Sequence, residues 1–217
     1  MKIFLSFSCI LLVVLGMLGV ANATLWDRGG GLIYDDVLDV TWLQNANYGA
    51  GSVYDDGLSN SDGLMSWDNA NDWAESLVFQ GYDDWRLPNT SFSVVIMPGD
   101  ETPNDYELDY MFYNNLGGVE YSFPGTSFTD SSSGEVRDFT GLTPDLFWLN
   151  NGGYTAFDFS DGREYIIAIL PGGPLPEFKA WALRNGDSSP VFEPSTIVLM
   201  GLGLVGLAGF GRRKFRK

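Results

Sequence analysis

The chain has 217 residues, of which 28 are acidic and 12 are basic, and it contains no histidine and one cysteine, Cys9. Nucleophile–base pairs and zinc sites built from thiol and imidazole are therefore excluded. Oxygen ligands remain, and they favour calcium or magnesium wherever a metal is bound. Because an acidic surface repels phosphate backbones, nucleic acid is not expected as a partner.

The first 23 residues have the layout of a removable export signal. Lys2 supplies the positive start, residues 3–20 form an apolar stretch, and the small residues Ala21 and Ala23 stand just before a cleavage site. This layout is typical of a Sec signal peptide, so signal peptidase is predicted to remove residues 1–23. An uncleaved N-terminal anchor is the alternative.

Residues 191–217 form a second segment that does not resemble a globular domain. It combines a short polar motif, an apolar stretch and a cluster of positive charge. In order, it contains Phe192, Glu193, Pro194, Ser195, Thr196, a glycine-rich uncharged span at about 195–211, and the basic tail 212–217, which begins with Arg212 and Arg213. At about 1.5 Å per residue the span is just long enough to cross a bilayer core of ~30 Å. The basic tail would stay in the cytoplasm, which places the preceding domain outside.

This three-part tail resembles a PEP-CTERM sorting signal. The family's core is Pro-Glu-Pro, and here Phe192 occupies its first position while Glu193 and Pro194 are retained. The resemblance implies recognition by an exosortase, cleavage near Glu193, an inner-membrane intermediate, and delivery to the cell surface or an exopolysaccharide matrix. Such tails are also labelled ice-binding-protein C-terminal domains, but the sequence has no repeated Thr-x-Thr ladder that could form an ice-binding face.

Residues 24–190 are predicted to form one domain, with six basic and 27 acidic residues. Apolar residues at helical spacing predict a helix that Ser66 caps and that runs to about Phe79. Asn104 and Glu107 match a capping box and predict a second helix. Strands are predicted at 31–34, 40–43, 147–149, 154–159, 165–170 and 179–183, and loops at 91–103 and 125–141. This order predicts an α+β fold with short antiparallel strands and two helices, between an N-terminal signal helix and a C-terminal transmembrane helix.

Several sequence blocks of this domain occur in a recognisable order. They are 27–35, 41–44, 67–74, Trp85-Arg86-Leu87-Pro88 within 81–89, 147–148, 156–162, and Trp181 to Arg184 within 181–186. Together they resemble the Lcl C-terminal-domain family, long catalogued as a domain of unknown function. The resemblance implies an exported module, with glycan adhesion known for the namesake, and more distantly a C-type-lectin-like fold. The namesake's adhesion relies on positive charge, which a domain with a net charge of −21 does not share.

The residues of the two main blocks are expected to be structural. Arg86 offers five donors in a rigid fork, which suits it to tying loop carbonyls together. Trp85 and Leu87 are expected to fill the core, while Pro88 fixes the turn. A ligand-facing Arg86 beside an aromatic platform is the alternative. The tryptophans are expected to be mostly core, with one or two of them exposed to stack on sugar rings.

An acidic stretch at 55–63 invites a calcium interpretation. Its candidate ligands are Asp55, Asp56, Asn60 and Asp62. Aligned as an EF-hand, the stretch has Leu58 and Asn69 where carboxylates are needed, so that alignment fails. We therefore expect a solvated turn and no cofactor, with a looser calcium site as the alternative.

No catalytic residue is predicted. Asp83, Asp84, Asp158 and Asp161 are surface carboxylates that could pair for glycoside hydrolysis only if two carboxyl groups lay about 5–10 Å apart. The sequence predicts a non-catalytic surface or matrix protein whose partners are the Sec machinery, signal peptidase, an exosortase, the membrane during sorting, and an exopolysaccharide or other envelope glycan. A carboxylate-dependent enzyme acting on exopolysaccharide and a purely structural matrix protein are the alternatives.

The two end segments predict two cleavages in the exported protein. Intact-mass spectrometry should show a chain that begins at Thr24 and ends near Glu193. Replacing Ala23 by Trp should leave residues 1–23 attached, because signal peptidase needs a small residue there. A cytosolic chain that retains Met1 and Lys217 would contradict both assignments.

Overall fold

The computed structural model describes residues 25–56, 59, 61–90, 106–152, 155–167 and 173–188. The two predicted terminal helices and the loop at 91–103 lie outside these residues. Within the described residues, no helix has the length and apolar character needed to cross a bilayer. The described residues up to Asp187 belong to one compact unit.

The described secondary structure is mostly short strands, with two short helices between them. The strands are β1 (Leu25–Gly29), β2 (Leu32–Asp35), β3 (Val40–Leu43), β4 (Leu64–Met65), β5 (Ser127–Thr129), β6 (Val136–Asp138), β7 (Leu146–Trp148), β8 (Thr155–Asp158), β9 (Arg163–Ile166), β10 (Phe178–Lys179) and β11 (Leu183–Asn185). The helices are α1 (Trp67–Ser76) and α2 (Glu107–Tyr110), and a π-helical turn (Met111–Asn115) continues α2. The predicted α+β class is confirmed at this level.

Two sheets and a hairpin organise these strands. The first sheet has the order β1-β2-β3-β11 and is antiparallel throughout. The second has the order β4-β10-β7-β8-β9, and its one parallel pair is β10 with β7. The hairpin β5-β6 lies within the segment predicted to be loop. The C-terminal strands thus enter both sheets, with β10 in one and β11 in the other.

Trp181 occupies the core between the segments that carry β10 and β11. Its side chain is fully buried, and its Nε1 donates to the carbonyl of Leu43 at 2.7 Å. Its ring centre lies 4.8 Å from that of Trp42 and 5.0 Å from that of Phe139. The contacts of this one indole therefore connect the first sheet with the hairpin region. The strand predicted at 179–183 is wrong as one element, because buried residues 180–182 pass from one sheet to the other.

Helix α1 begins where it was predicted and ends earlier. The Ser66 side chain caps it by accepting from the N–H of Asn69, and the core side of the helix buries Ala70, Trp73 and Ala74. The predicted extension to Phe79 is wrong. The backbone there forms a tight turn with paired hydrogen bonds between Phe79 and Tyr82.

Helix α2 does not use the predicted capping box. Tyr106 is its N-cap residue and makes no side-chain cap, while Glu107 is the first helical residue. The Glu107 carboxylate points to Arg86 instead of back to the helix start. Asn104 lies outside the described residues. The capping role predicted for Glu107 is therefore wrong, because a guanidinium offers the carboxylate a stronger, charge-assisted partner.

Asp35 links the first sheet to the π-helical turn. It is fully buried; its Oδ1 accepts from the N–H groups of Val37 and Leu38 at 3.0 and 3.1 Å, and its Oδ2 accepts from Nδ2 of Asn115 at 2.6 Å. Burial raises the pKa of Asp35 although these hydrogen bonds oppose the rise. The buried Oδ1 of Asn115 has no partner. Turning this amide over would offer that oxygen to a protonated Asp35.

The raised pKa of Asp35 predicts a specific pH dependence of stability. A carboxyl group whose pKa is raised in the folded state makes its full contribution to the stability of that state at pH values below its ordinary pKa of 3.8. This contribution is lost as the pH rises through the folded-state pKa. Asp35→Asn imitates the neutral form, so its Tm should rise relative to that of the wild type as the pH is raised from below 3.8. Thermal melts at several pH values measure the difference. Asp83→Asn, at an exposed carboxyl elsewhere in the domain, is the control, and a constant difference across pH for Asp35→Asn would contradict the prediction.

Candidate functional site

Arg86 is the centre of a polar cluster that joins several segments. Its Nη1 and Nη2 pair with the two carboxylate oxygens of Glu107 at 2.8 and 2.7 Å. Nη2 also donates to Oδ1 of Asn185 at 2.6 Å, and Nη1 donates to the carbonyl of Leu87 at 3.1 Å. Glu107 is 3 % exposed and accepts a further hydrogen bond from the N–H of Asn89 at 2.6 Å. The guanidinium is thus occupied by contacts within the protein.

The neighbours of Arg86 in its sequence block face the interior. Trp85 and Leu87 are buried in the core, and Trp85 Nε1 donates to the carbonyl of Tyr82 at 3.1 Å. Pro88 is buried as well, and its carbonyl accepts from the N–H of Asn150 at 2.7 Å. This block therefore supports the strands around it and leaves no aromatic face open beside Arg86.

Arg184, from the second block, pairs with an exposed carboxylate. Its Nε and Nη2 donate to the two carboxylate oxygens of Asp84 at 2.6 and 2.9 Å. Its guanidinium carbon lies 4.1 Å from the centre of the Tyr82 ring, within cation–π range. The hydrogen bonds from Arg184 lower the pKa of Asp84 below its ordinary value. A carboxylate held ionised in this way is poorly suited to donate a proton to a leaving group.

The acidic stretch at 55–63 uses its side chains within the loop. Asp55 is buried, and its Oδ2 accepts from two glycine N–H groups at 2.8 and 3.1 Å. Asp56 accepts from the N–H of the serine that caps α1, at 3.1 Å, and Asp62 accepts from the N–H two residues later at 3.0 Å. Asn60 lies outside the described residues. No group of three or more acidic, histidine or cysteine side chains in the described part of the chain is placed to hold a metal.

The remaining carboxylates named for hydrolysis lie at the surface or within turns. Asp83 is exposed, and Asp158 accepts from the N–H of Ser160 at 2.7 Å. Asp161 accepts from the N–H of Arg163 at 3.0 Å and from the hydroxyl of Tyr165. The carboxylates of Asp158 and Asp161 therefore each stabilise the turn in which they lie.

Glu164 is a second carboxyl, besides Asp35, with a raised pKa. Burial raises the pKa of Glu164, and hydrogen bonds from the Thr90 hydroxyl at 2.8 Å oppose the rise. Asp35 ends β2 in the first sheet, whereas Glu164 lies on β9 at an edge of the second. The two carboxyl groups with raised pKa values, Asp35 and Glu164, therefore belong to different sheets.

An exposed aromatic surface lies where the turn at 119–122 meets strand β9. We call Tyr121, Asp161, Arg163 and Tyr165 the tyrosine surface. Tyr121 is 67 % exposed and Tyr165 is 40 % exposed. The N–H of Tyr121 donates to the carbonyl of Asp161 at 2.8 Å, and Nη1 of Arg163 donates to the Tyr121 hydroxyl at 3.1 Å. Asp161 accepts from the Tyr165 hydroxyl, which raises the pKa of Tyr165. Both rings are thus fixed through their polar ends.

Tyr121 has a backbone conformation that tyrosine rarely adopts. Its φ is 65°, in the left-handed region that glycine and asparagine favour. Such a conformation costs roughly 1–2 kcal/mol for a residue with a bulky side chain. An exposed ring kept at an unfavourable turn position points to a role outside the core.

The tryptophans that were expected to be exposed are not the aromatic residues of the tyrosine surface. Five of the six tryptophans considered in the sequence are buried, and Trp67 is half-buried with Nε1 bonded to the carbonyl of Leu149. The buried five are Trp42, Trp73, Trp85, Trp148 and Trp181. Tyr121 and Tyr165 were missed, and the signals that could have indicated them are the glycines at 117–118 and the charged pair at 163–164 just before Tyr165.

Residues 193–217 match the PEP-CTERM protein-sorting motif. The chain carries a PEP-CTERM tail. The predicted sorting motif is thereby confirmed from Glu193 onwards, and Phe192 lies just before the match. The motif indicates an exported protein with a transient membrane anchor and an exosortase as its processing partner. Comparison with curated proteins and with solved structures finds no match to the chain.

The domain that precedes the PEP-CTERM tail has each of its six basic residues in an ion pair. The pairs are Arg28–Asp187 (2.7 Å), Arg86–Glu107 (2.7 Å), Arg137–Glu135 (2.8 Å), Arg163–Glu120 (3.7 Å), Lys179–Asp145 (2.7 Å) and Arg184–Asp84 (2.6 Å). The domain's excess of acidic residues over basic ones is therefore left as net negative charge.

The buried pair of Arg86 and Glu107 predicts a large stability loss on truncation. Arg86→Ala leaves the Glu107 carboxylate buried without its cation, which should lower the free energy of unfolding by about 3–5 kcal/mol. Denaturant unfolding measures the loss. The control is Arg163→Ala, whose side chain and partner are each 50 % exposed. It should lose less than about 1 kcal/mol. Equal losses in the two variants would contradict a structural role for Arg86.

Proposed function

We propose that this exosortase substrate is a non-catalytic surface or matrix protein that binds neutral glycan through the tyrosine surface. The observation that carries the proposal is the pair of exposed, oriented rings of Tyr121 and Tyr165. Export and sorting bring the domain to a compartment where polysaccharide is the abundant polymer. The resemblance to the Lcl C-terminal-domain family, whose namesake adheres to glycans, agrees with this proposal.

The two tyrosines have the properties that sugar stacking requires. An aromatic ring presents an apolar face to the C–H groups of a pyranose, and a phenol adds a polar end that can remain wet. Arg163 and Asp161 restrain the two hydroxyl groups, so less side-chain freedom is lost on binding. Carbonyl and carboxylate oxygens nearby could accept hydrogen bonds from sugar hydroxyl groups.

Charge favours a neutral ligand over an anionic one. The cation of the tyrosine surface, Arg163, is paired with Glu120, and Asp158 and Asp161 add negative charge nearby. An anionic polymer such as a glycosaminoglycan would meet repulsion here and across the acidic domain. We therefore propose a ligand whose recognition depends on stacking and hydrogen bonds.

Affinity electrophoresis of the exported protein tests the proposal. The gels contain dextran, galactomannan, soluble cellulose derivatives, the producing cell's own exopolysaccharide, or hyaluronan as the anionic comparator. We expect retention by at least one neutral polymer and none by hyaluronan. Tyr121→Ala and Tyr165→Ala should each weaken binding about three- to tenfold, which corresponds to the roughly 0.5–1.5 kcal/mol of one aromatic contact.

Two further variants separate binding from folding. Tyr48→Ala removes a tyrosine of similar exposure, 42 %, outside the tyrosine surface, and should bind normally. Tyr121→Gly removes the ring and relieves its positive φ, so it should lose affinity while its free energy of unfolding stays within about 1 kcal/mol of the wild type. Lack of retention on every polymer, or an equal loss in Tyr48→Ala, would refute the proposal.

A further inference from the structure

Asp55 differs from the other buried carboxylates in the described residues. Asp35, Glu107 and Asp130 use both oxygens as hydrogen-bond acceptors. Asp55 is 4 % exposed, and its Oδ2 accepts two backbone N–H groups, but its Oδ1 is buried without a partner. A buried carboxylate oxygen without a donor is costly, since the charge has lost water and gained nothing on that side.

A second unpartnered oxygen lies at the same loop. Oδ1 of Asn47 is buried and accepts no hydrogen bond. The orientation of this amide is fixed, because its Nδ2 donates to the carbonyl of Asp62 at 3.0 Å. The oxygen therefore faces Gly63, where a Cβ atom would lie only 1.9 Å from it.

Gly63 is the point at which the two side chains meet. Its N–H donates to Oδ2 of Asp55 at 3.1 Å, while the Asn47 oxygen occupies the space beside its Cα. Its φ is +79°, so both the backbone conformation and the space exclude a larger residue. Gly63 thus contacts both side chains, and each of these side chains has one buried oxygen without a donor, Oδ1 of Asp55 and Oδ1 of Asn47.

From these contacts we infer that Asp55 and Asn47 bind a calcium ion. A carboxylate oxygen and an amide oxygen are hard ligands of the kind calcium takes, and calcium accepts irregular sets that include backbone carbonyls and water. Magnesium demands near-ideal octahedral geometry, which an irregular turn does not supply. The inference concerns a site separate from the tyrosine surface and does not depend on glycan binding.

Calcium titration of the exported protein tests the site. The protein is stripped with chelator, then melted with calcium chloride or magnesium chloride, and the bound metal is counted by atomic emission. We expect one calcium per chain and, at about a hundred times the dissociation constant, a rise in Tm of roughly 5–10 °C. Magnesium should give no comparable shift.

Asp55→Asn is the decisive variant. It keeps an oxygen for the two glycine N–H groups and removes the charge, so it should fold in chelator with a Tm close to that of the wild type while losing the bound calcium and the Tm shift. Asp56→Asn, at the exposed neighbouring carboxylate, should keep both. Absence of bound calcium in the wild type would mean that water fills the site and would overturn the inference, as would a full calcium response in Asp55→Asn or an equal response to magnesium.

Discussion

The burial of Trp181 is the packing interaction on which the two sheets depend. Its indole N–H is bound to the carbonyl of Leu43, and its ring contacts Trp42 of the first sheet, Phe147 of the second sheet and Phe139 beside the hairpin. The chain on either side of it supplies β10 to one sheet and β11 to the other. Removing an aromatic side chain from such a position typically costs about 3–5 kcal/mol, a large part of the ~5–15 kcal/mol that stabilises a whole domain. The large aromatic core also explains how a domain without a disulfide can be held together.

The basic side chains of the domain form ion pairs within the fold. Arg86 neutralises the buried Glu107. Arg28 and Arg184 form bidentate ion pairs with Asp187 and Asp84. The acidic residues outnumber the basic ones, so the net charge of the domain surface is negative. Such a domain attracts cations and tolerates neutral polymers, and it offers no free positive patch to an anionic one among these six pairs. Both proposals, a neutral glycan at the tyrosine surface and a calcium ion at Asp55, follow from this distribution together with local geometry.

The candidate sites show where sequence reasoning reached its limit. The stretch at 55–63 was recognisable from its carboxylates, and Asp55 was among the residues named. Asn47 was not, because only the fold brings its amide oxygen against Gly63. Tyr121 and Tyr165 were overlooked in favour of tryptophans, since residue type suggests a sugar platform but exposure depends on packing. Trp42 and Trp148 are the better aromatic surfaces in principle, and the core buries them.

The sequence alone determined the sorting class, since a sorting enzyme reads Glu193, Pro194 and the basic tail along the chain and no tertiary contact is needed to form them. It also indicated the α+β class and the start of α1 at Ser66, because hydrophobic periodicity and capping are local. Tertiary structure alone decided that Glu107 pairs with Arg86, that residues 179–185 divide between two sheets, and that Tyr121 is exposed. Each of these depends on a partner distant in sequence, and the free energy of such contacts outweighs local preference.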